Sequence, residues 1–357
     1  RGTYVFPQGV DFERYDPALF NVDRLRADPR VDDSVPVLVT NREGGAAADA
    51  AAGGLTVTRR LPDLDAVAGT YTPTDRPGGS AAAVAGRVVY DAPVRRALDT
   101  ATDTVRAPRA RERFGVSGDG VTVAVIDSGV DASHPDITET EQVRFVDGDD
   151  EDGFHGTHVA GILAGDGTAG NGTYTGVAPN ASILDLDVFD GPRTSTSAIL
   201  DALSYASDAG ADVVSLSLGG GPQATRAQDV LAQAADDAVE SGSVVVVAAG
   251  NDGPNAQTVG TPGIAERAIT VGATGENASA VAAYSSRGPT PGQFLKPDIV
   301  APGTDIVSAN GREGAENPYV RSTGTSMATP LVSGAAALLL EANPGLDPAA
   351  VERRLVG

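Results

Sequence analysis

The stretch "VTVAVIDSG", residues 121–129, decides how the chain folds. Apart from Thr122, everything in it before Asp127 is Val, Ala or Ile. An apolar run that does not alternate suits a parallel strand covered by helices on both faces, whereas a half-solvated strand would alternate apolar and polar residues. The run stops at a carboxylate followed by Ser and Gly. Open parallel sheets bind ligands beyond the carboxyl ends of their strands, so the residues just after each such run are where chemistry is sought.

Working outward, "SILDLDVF", "DVVSLSLGG", "SVVVVAAGN" and "AITVGAT" repeat the pattern toward the C-terminus. Between them, "TSAILDALSYASDAG" and "ATRAQDVLAQAADDAVESG" carry apolar residues at helical spacing. The expected architecture of residues 115–357 is α/β, a mainly parallel sheet with right-handed crossovers and helices on both faces.

Toward the N-terminus the pattern differs. Residues 1–35 are polar and interrupted by Pro, which suits a wrapping segment with one short helix around "PALFNVDRL". Residues 36–92 read as a small α+β unit: strands at "VPVLVT", "LTVTRRLP" and "GRVVYDAP", helices at "AAADAAA" (46–52) and "AAAVA" (81–85). Residues 93–114 are charged, with few apolar anchors, and read as a linker open to proteolysis.

The net charge is concentrated in one part of the chain. Residues 1–110 carry 14 Arg and 15 acidic residues, whereas residues 111–357 carry 12 basic and 33 acidic groups, almost all of the net −22. Such a field repels nucleic acid and anionic membranes and favours solubility in high salt or cation binding. The chain has no Cys, so no disulfide framework or thiolate metal site. No apolar run approaches the ~20 residues of a membrane span. It begins at Arg1 rather than Met, and a removed or omitted leader is the expectation.

Polar residues then gather at the strand ends. Asp127 closes "VAVID", Asn251 closes "VVVVAAGN", and "SLSLGG" is an extended segment ending in two glycines. Of the three histidines, His155 opens the helical stretch "HGTHVAGILAG", where its ring can reach a neighbouring strand end. His158 shares a face with Ile162 and is expected to be buried and hydrogen-bonded; His134, in the turn "DASHPDI", is expected to be structural. Ser326 in "GTSMATP" (324–330) precedes the helical run "LVSGAAALLLEA". Alone it reads as a helix cap; with Asp127 and His155 upstream it becomes a candidate nucleophile with base and orienting acid.

The motifs "VAVIDSGVDASHPDI", "HGTHVAGILAG", "VSLSLGG", "VVVVAAGNDGP", "KPDIVAPG" and "GTSMATPLVSGAAALL", in this order over about residues 115–356, resemble those of the subtilisin-like serine proteases, the subtilases. The chain order Asp, His, Ser is that of subtilisin and belongs to the resemblance. It implies that Ser326 attacks a peptide carbonyl, His155 moves the proton and Asp127 orients the ring. Asn251 and the Ser326 N–H would form the oxyanion hole, with Thr325 as a weaker hydroxyl donor. In a subtilisin, losing such an asparagine costs about 3–4 kcal/mol.

Substrate is expected as an extended polypeptide beside Ser217, Leu218, Gly219 and Gly220, the two glycines admitting another chain closely. By resemblance, Ala248, Ala249 and Gly250 wall the P1 pocket, and Gly260 near its floor leaves room for a large apolar side chain. No cofactor is required for the chemistry. Asp136 matches a position that ligates structural calcium in many members, although "AGDGTAGNGTYTGVAP" departs from the loop that completes that site. The acidic "DGDDEDG" (147–153) reads as a solvated loop, with a hard cation as the alternative.

The resemblance also implies that residues 36–92 are a ferredoxin-like pro-domain, chaperone and intramolecular inhibitor, cut off by Ser326 near 91–110. A monomeric, secreted proenzyme follows, with a glycine-rich closing segment expected beyond "VERRLVG". Two other readings remain open at this point: a catalytically silent peptide-binding protein, and an esterase or peptide ligase using the same acyl-enzyme.

Overall fold

The computed structural model describes residues 3, 5, 15–27, 31–40, 55–61, 66–72, 87–90, 97–137, 140–147, 153–221, 226–275, 278–312 and 314–357. The chain forms two compact units, Arg1–Val94 and Arg95–Gly357.

In the first unit a single 3-10 turn, Pro17–Phe20, leads into helix α1 (Val22–Ala27). Strands β1 (Val35–Thr40), β2 (Leu55–Leu61), β3 (Ala66–Tyr71) and β4 (Arg87–Tyr90) make an antiparallel sheet in the order β2-β3-β1-β4. Val37, Val39, Leu55, Val67 and Val88 form its apolar cluster. Strand β3, "AVAGTY", is rich in Ala and Gly and has weak strand propensity; pairing on both edges holds it. The helices expected at 46–52 and 81–85 lie outside the described residues.

The second unit starts with helices α2 (Ala97–Thr104) and α3 (Ala107–Phe114). Residues 97–114 are therefore not a linker. Ala101 and Ala107 are buried in the unit's main core, and Arg111 donates through Nη1 to the carbonyls of Gly176 (2.6 Å) and Val177 (3.0 Å). Of the charges that suggested a linker, Asp103, Arg106, Arg109, Glu112 and Arg113 are exposed on or between these two short helices, and Arg111 is turned inward.

Then follow β5 (Thr122–Asp127), β6 (Thr140–Arg144), α4 (Phe154–Ala164), β7 (Ser182–Asp187), the short hairpin β8 (Phe189–Asp190) and β9 (Arg193–Thr194), α5 (Thr196–Asp208), β10 (Val213–Leu216), α6 (Val230–Glu240), β11 (Val244–Ala248), β12 (Ile269–Thr274), β13 (Ile299–Pro302), the hairpin β14 (Ile306–Ala309) and β15 (Tyr319–Ser322), α7 (Thr325–Ala342) and α8 (Pro348–Val356). Seven strands form one sheet in the order β13-β12-β11-β10-β5-β7-β6, and every pairing in it is parallel.

The alternation of side chains along each strand splits the core into two layers. Val123, Val125, Val246 and Val271 pack with α4 and α7 on one face; Ala124, Ile126, Val214 and Val245 pack with α5 and α6 on the other. Each such Val or Ile side chain contributes about 1.5–3 kcal/mol by leaving water. Ser195 and Asp229 start α5 and α6 by accepting hydrogen bonds from N–H groups of the first turn. The α/β sheet with helices on both faces, expected from residues 115–357, is thus borne out. Helix α7 has the length and composition of a membrane span, but 72% of it is buried and it serves as a core helix.

Candidate active site

Asp127 is the last residue of β5, at the carboxyl end of a central strand, and is 1% exposed. His155 is the second residue of α4, and its Nδ1 lies 2.7 Å from Asp127 Oδ1. Gly156 makes this approach available. A Cβ at that position would collide with the carbonyl oxygen of Gly129, in the turn just beyond Asp127. The same turn is tied down by Ser128, which accepts from Gly156 N–H (3.2 Å) while its own N–H donates to Asp127 Oδ1 (2.8 Å). With Asp127 ionised, Nδ1 carries the proton and Nε2 is left as the acceptor. The Asp127 charge raises the His155 pKa above its ordinary value, against the opposing effect of burial.

Ser326 is the second residue of α7, and no side chain caps that helix. Its Oγ donates to the carbonyl of Ser217 at 2.8 Å, while Ser217 Oγ donates to the Ser326 carbonyl at 3.0 Å. The cap reading of Ser326 is therefore set aside. The first-turn N–H groups of α7 and its dipole leave a region suited to negative charge.

Asn251 follows β11, and its Oδ1 accepts from Thr325 N (2.9 Å) and Thr325 Oγ1 (3.1 Å). This fixes the amide so that its Nδ2 donors are not engaged by Thr325. Thr325 is fully buried, and its hydroxyl proton is directed to Asn251. In this arrangement the hydroxyl is engaged by the amide oxygen, where the sequence leads one to expect an extra donor for the oxyanion.

One cleft of about 790 Å³ is lined by Asp127, His155, Asn251, Thr325 and Ser326 together with all of Ser217, Leu218, Gly219, Gly220, Ala248, Ala249, Gly250 and Gly260. The close approach that Gly219 permits is internal: a Cβ there would stand 2.6 Å from the Thr261 carbonyl, and Gly220 N–H donates to that carbonyl at 3.0 Å. The two glycines thus admit a neighbouring segment of their own chain. Phe189, Gly191 and Pro192 of the β8–β9 hairpin also line the cleft and were not foreseen, because nothing in "VFDGPRT" distinguishes it from an ordinary turn.

His158 is fully buried; its Nε2 lies 3.2 Å from both the Ile306 and Val320 carbonyls and so carries the proton. Burial, aided by His155, lowers its pKa to about 4. His134 is also structural, with Nε2 2.8 Å from the Pro318 carbonyl and Nδ1 accepting from Asp136 N–H.

Asp136 does not fit a calcium ligand. Its Oδ1 accepts from Ala169 N–H (2.7 Å) and its Oδ2 from the Tyr319 hydroxyl (2.6 Å), so its neighbours present hydrogens where a cation needs oxygen lone pairs. Among the described residues no group of three or more His, Asp or Glu is placed to hold a metal. Residues 148–152 of the acidic stretch lie outside the described residues.

Residues 118–357 match the family Peptidase_S8, the subtilase family. The chain belongs to the subtilases. This subtilase is 38% identical over 306 residues to serine protease AprX of Bacillus subtilis (strain 168), a match covering 75% of this chain and 68% of the relative. It is 40% identical over 248 residues to subtilisin DY of Bacillus licheniformis, covering 68% of this chain and 84% of that protein. Among solved structures it resembles a cold adapted subtilisin-like serine proteinase, with a TM-score of 0.56 and 33% identity over 67% of this chain and 81% of that one. The subtilase is a serine endopeptidase, acts on polypeptides and needs no cofactor for the reaction.

Proposed function

We propose that this subtilase cleaves peptide bonds through an acyl-enzyme on Ser326, with Asp127, His155 and Asn251 in the roles their surroundings suit. The observation that carries the reading is the 2.7 Å contact of His155 Nδ1 with a buried Asp127, in the cleft that also holds Ser326. Ser326 Oγ loses its proton to His155 Nε2 as it attacks the carbonyl carbon, and the imidazolium formed is stabilised by Asp127. Asn251 Nδ2 and the Ser326 N–H receive the oxyanion. His155 then returns the proton to the leaving amine, and water repeats the sequence to release the acyl group. The small walls Ala248, Ala249 and Gly250 leave the P1 side of the cleft to a large apolar side chain.

The first unit is read as the inhibitor-like pro-domain of residues 36–92, so that the chain is a proenzyme acting outside the cell as a monomer. Its antiparallel order β2-β3-β1-β4 supports that reading, and so does its near-neutral charge beside a strongly acidic catalytic unit. A scissile segment must be extended, and residues 97–114 are largely helical, so the cut belongs before Ala97, among residues 91–96.

Intact-mass spectrometry with a fluorophosphonate probe tests this. Wild type is expected to be cut within 91–96 and its large fragment to gain one probe, while Ser326→Ala stays whole and unlabelled. If wild type is neither cut nor labelled, even after another protease removes the first unit, the catalytic reading falls.

A further inference from the structure

Behind Asp127 lies a row of carboxyls that the reaction as described does not use. The register of β5, β7 and β6 sets Val125, Asp185 and Gln142 side by side, and Asp127, Asp187 and Arg144 in the next row of the same face. Asp185 is fully buried and Asp187 is 3% exposed. Asp187 is met by Arg144, with Nε 3.1 Å from Oδ2.

Asp185 is partnered by neutral groups instead. Its Oδ2 accepts from Val130 N–H and from Gln142 Nε2, both at 2.8 Å. Its Oδ1 is buried with no hydrogen-bond partner among the described residues. Such a carboxyl resists ionisation. Burial pushes its pKa to about 7, with the charges of Asp187 and Asp127 adding to the effect and the two hydrogen bonds opposing it.

Resting on the triad reading above, we propose that Asp185 is a positioning residue of the hydrolysis: it fastens the Ser128–Val130 turn that presents Asp127 to His155 and, on ionising, places a second negative charge behind that pair which strengthens His155 as a base.

The groups facing Asp185 are Asp187 on its own strand, Asp127 on β5 with His155 beyond it on α4, and Gln142 with Arg144 on β6. A polar cavity of about 560 Å³ lined by Gln142, Arg144 and Asp187 adds Asp131, His134 and Arg312 at its walls. While Asp185 is protonated, Asp127 governs His155. As the pH rises Asp185 releases its proton to solvent, and the new charge favours the imidazolium, so His155 keeps its proton to higher pH. A neutral residue in place of Asp185 must therefore move the acid limb of the rate profile to lower pH.

The test is kcat/KM against pH for wild type and Asp185→Asn on a peptide substrate. Asparagine retains an acceptor for Val130 N–H, so the turn stays held. The expected result is an acid-limb midpoint lower by about half a pH unit or more, the scale of one charge a strand away in a poorly solvated sheet. A profile superimposable on wild type, or displaced upward, overturns the proposal. Should the variant fail to fold, NMR of the His155 ring in Ser326→Ala decides instead, since the chain has 3 histidines to resolve. Two coupled ionisations are expected there, and a single one overturns the role of Asp185. If Ser326→Ala still hydrolyses peptide, it is the triad reading that has failed.

Discussion

Ser326 and Ser217 are bound to each other twice, each hydroxyl donating to the other's backbone carbonyl, at 2.8 and 3.0 Å. The candidate nucleophile is thus held against the same "SLSLGG" segment that lines the cleft. Ser217→Ala removes only the bond that steadies the Ser326 backbone. We expect kcat to fall several-fold, KM to change little and stability to drop by about 1 kcal/mol, read by peptide hydrolysis and urea unfolding.

Asp127→Asn removes the charge that raises the His155 pKa. The expected loss in kcat is about 10⁴-fold, because the ring is no longer held in the required tautomer. Residual activity should show its acid limb at lower pH than wild type. The sign follows because a raised folded pKa means that the ion pair stabilises the protonated ring. That contribution is full at pH below the unfolded value and disappears as pH rises through the folded one. Retention of full kcat by this variant would contradict the assignment of the base.

Asn251 and Thr325 should differ in weight. Replacing Asn251 by Ala is expected to lower kcat by about 10²–10³-fold with KM nearly unchanged, as for a donor used only when the oxyanion forms. Thr325→Val removes the hydroxyl bond to Asn251 Oδ1 and the acceptor for Gly250 N–H, leaving the Thr325 N–H bond, and should cost about tenfold. Equal losses in steady-state kinetics would show that Thr325 acts on the substrate directly.

Because Asp136 is satisfied by Tyr319 and Ala169, a chelator is expected to leave the thermal midpoint contributed by this region unchanged. Tyr319→Phe strips one donor from a buried carboxylate and should destabilise by about 1–3 kcal/mol. Differential scanning calorimetry with and without EDTA distinguishes the two; a chelator effect lost in Asp136→Asn would restore a metal role there.

His158 titrates the other way from His155. Its folded pKa, about 4, lies below the ordinary 6.5, so the unfolded chain binds the extra proton. Stability is complete above pH 6.5 and falls as the pH drops toward 4, by about 3 kcal/mol in all. His158→Gln should lack this part of the acid slope in denaturant titrations at successive pH values.

Much of the parallel sheet was legible because β5, β7, β10, β11 and β12 are buried on both faces and their sequences are correspondingly apolar. Strand β6, "TEQVR", was not, since it lies at the sheet edge and carries polar residues. The site residues were read from motif order, but what Thr325 donates to, and which chain Gly219 admits, depend on contacts between segments far apart in sequence. Asp185 and Asp187 were visible in "SILDLDVF" as acids in an apolar strand. Only the register against β5 places them beside Asp127. Residues 97–114 misled because two short helices anchored by alanines leave little apolar signal.

Helix α7 carries Ser326 at its start and buries Met327, Ala328 and Leu331 immediately afterwards in the main core. The candidate nucleophile therefore takes its place in the cleft only once that helix has docked on the sheet beside α4. One helix thus belongs both to the core and to the candidate site, so completing the first also completes the second.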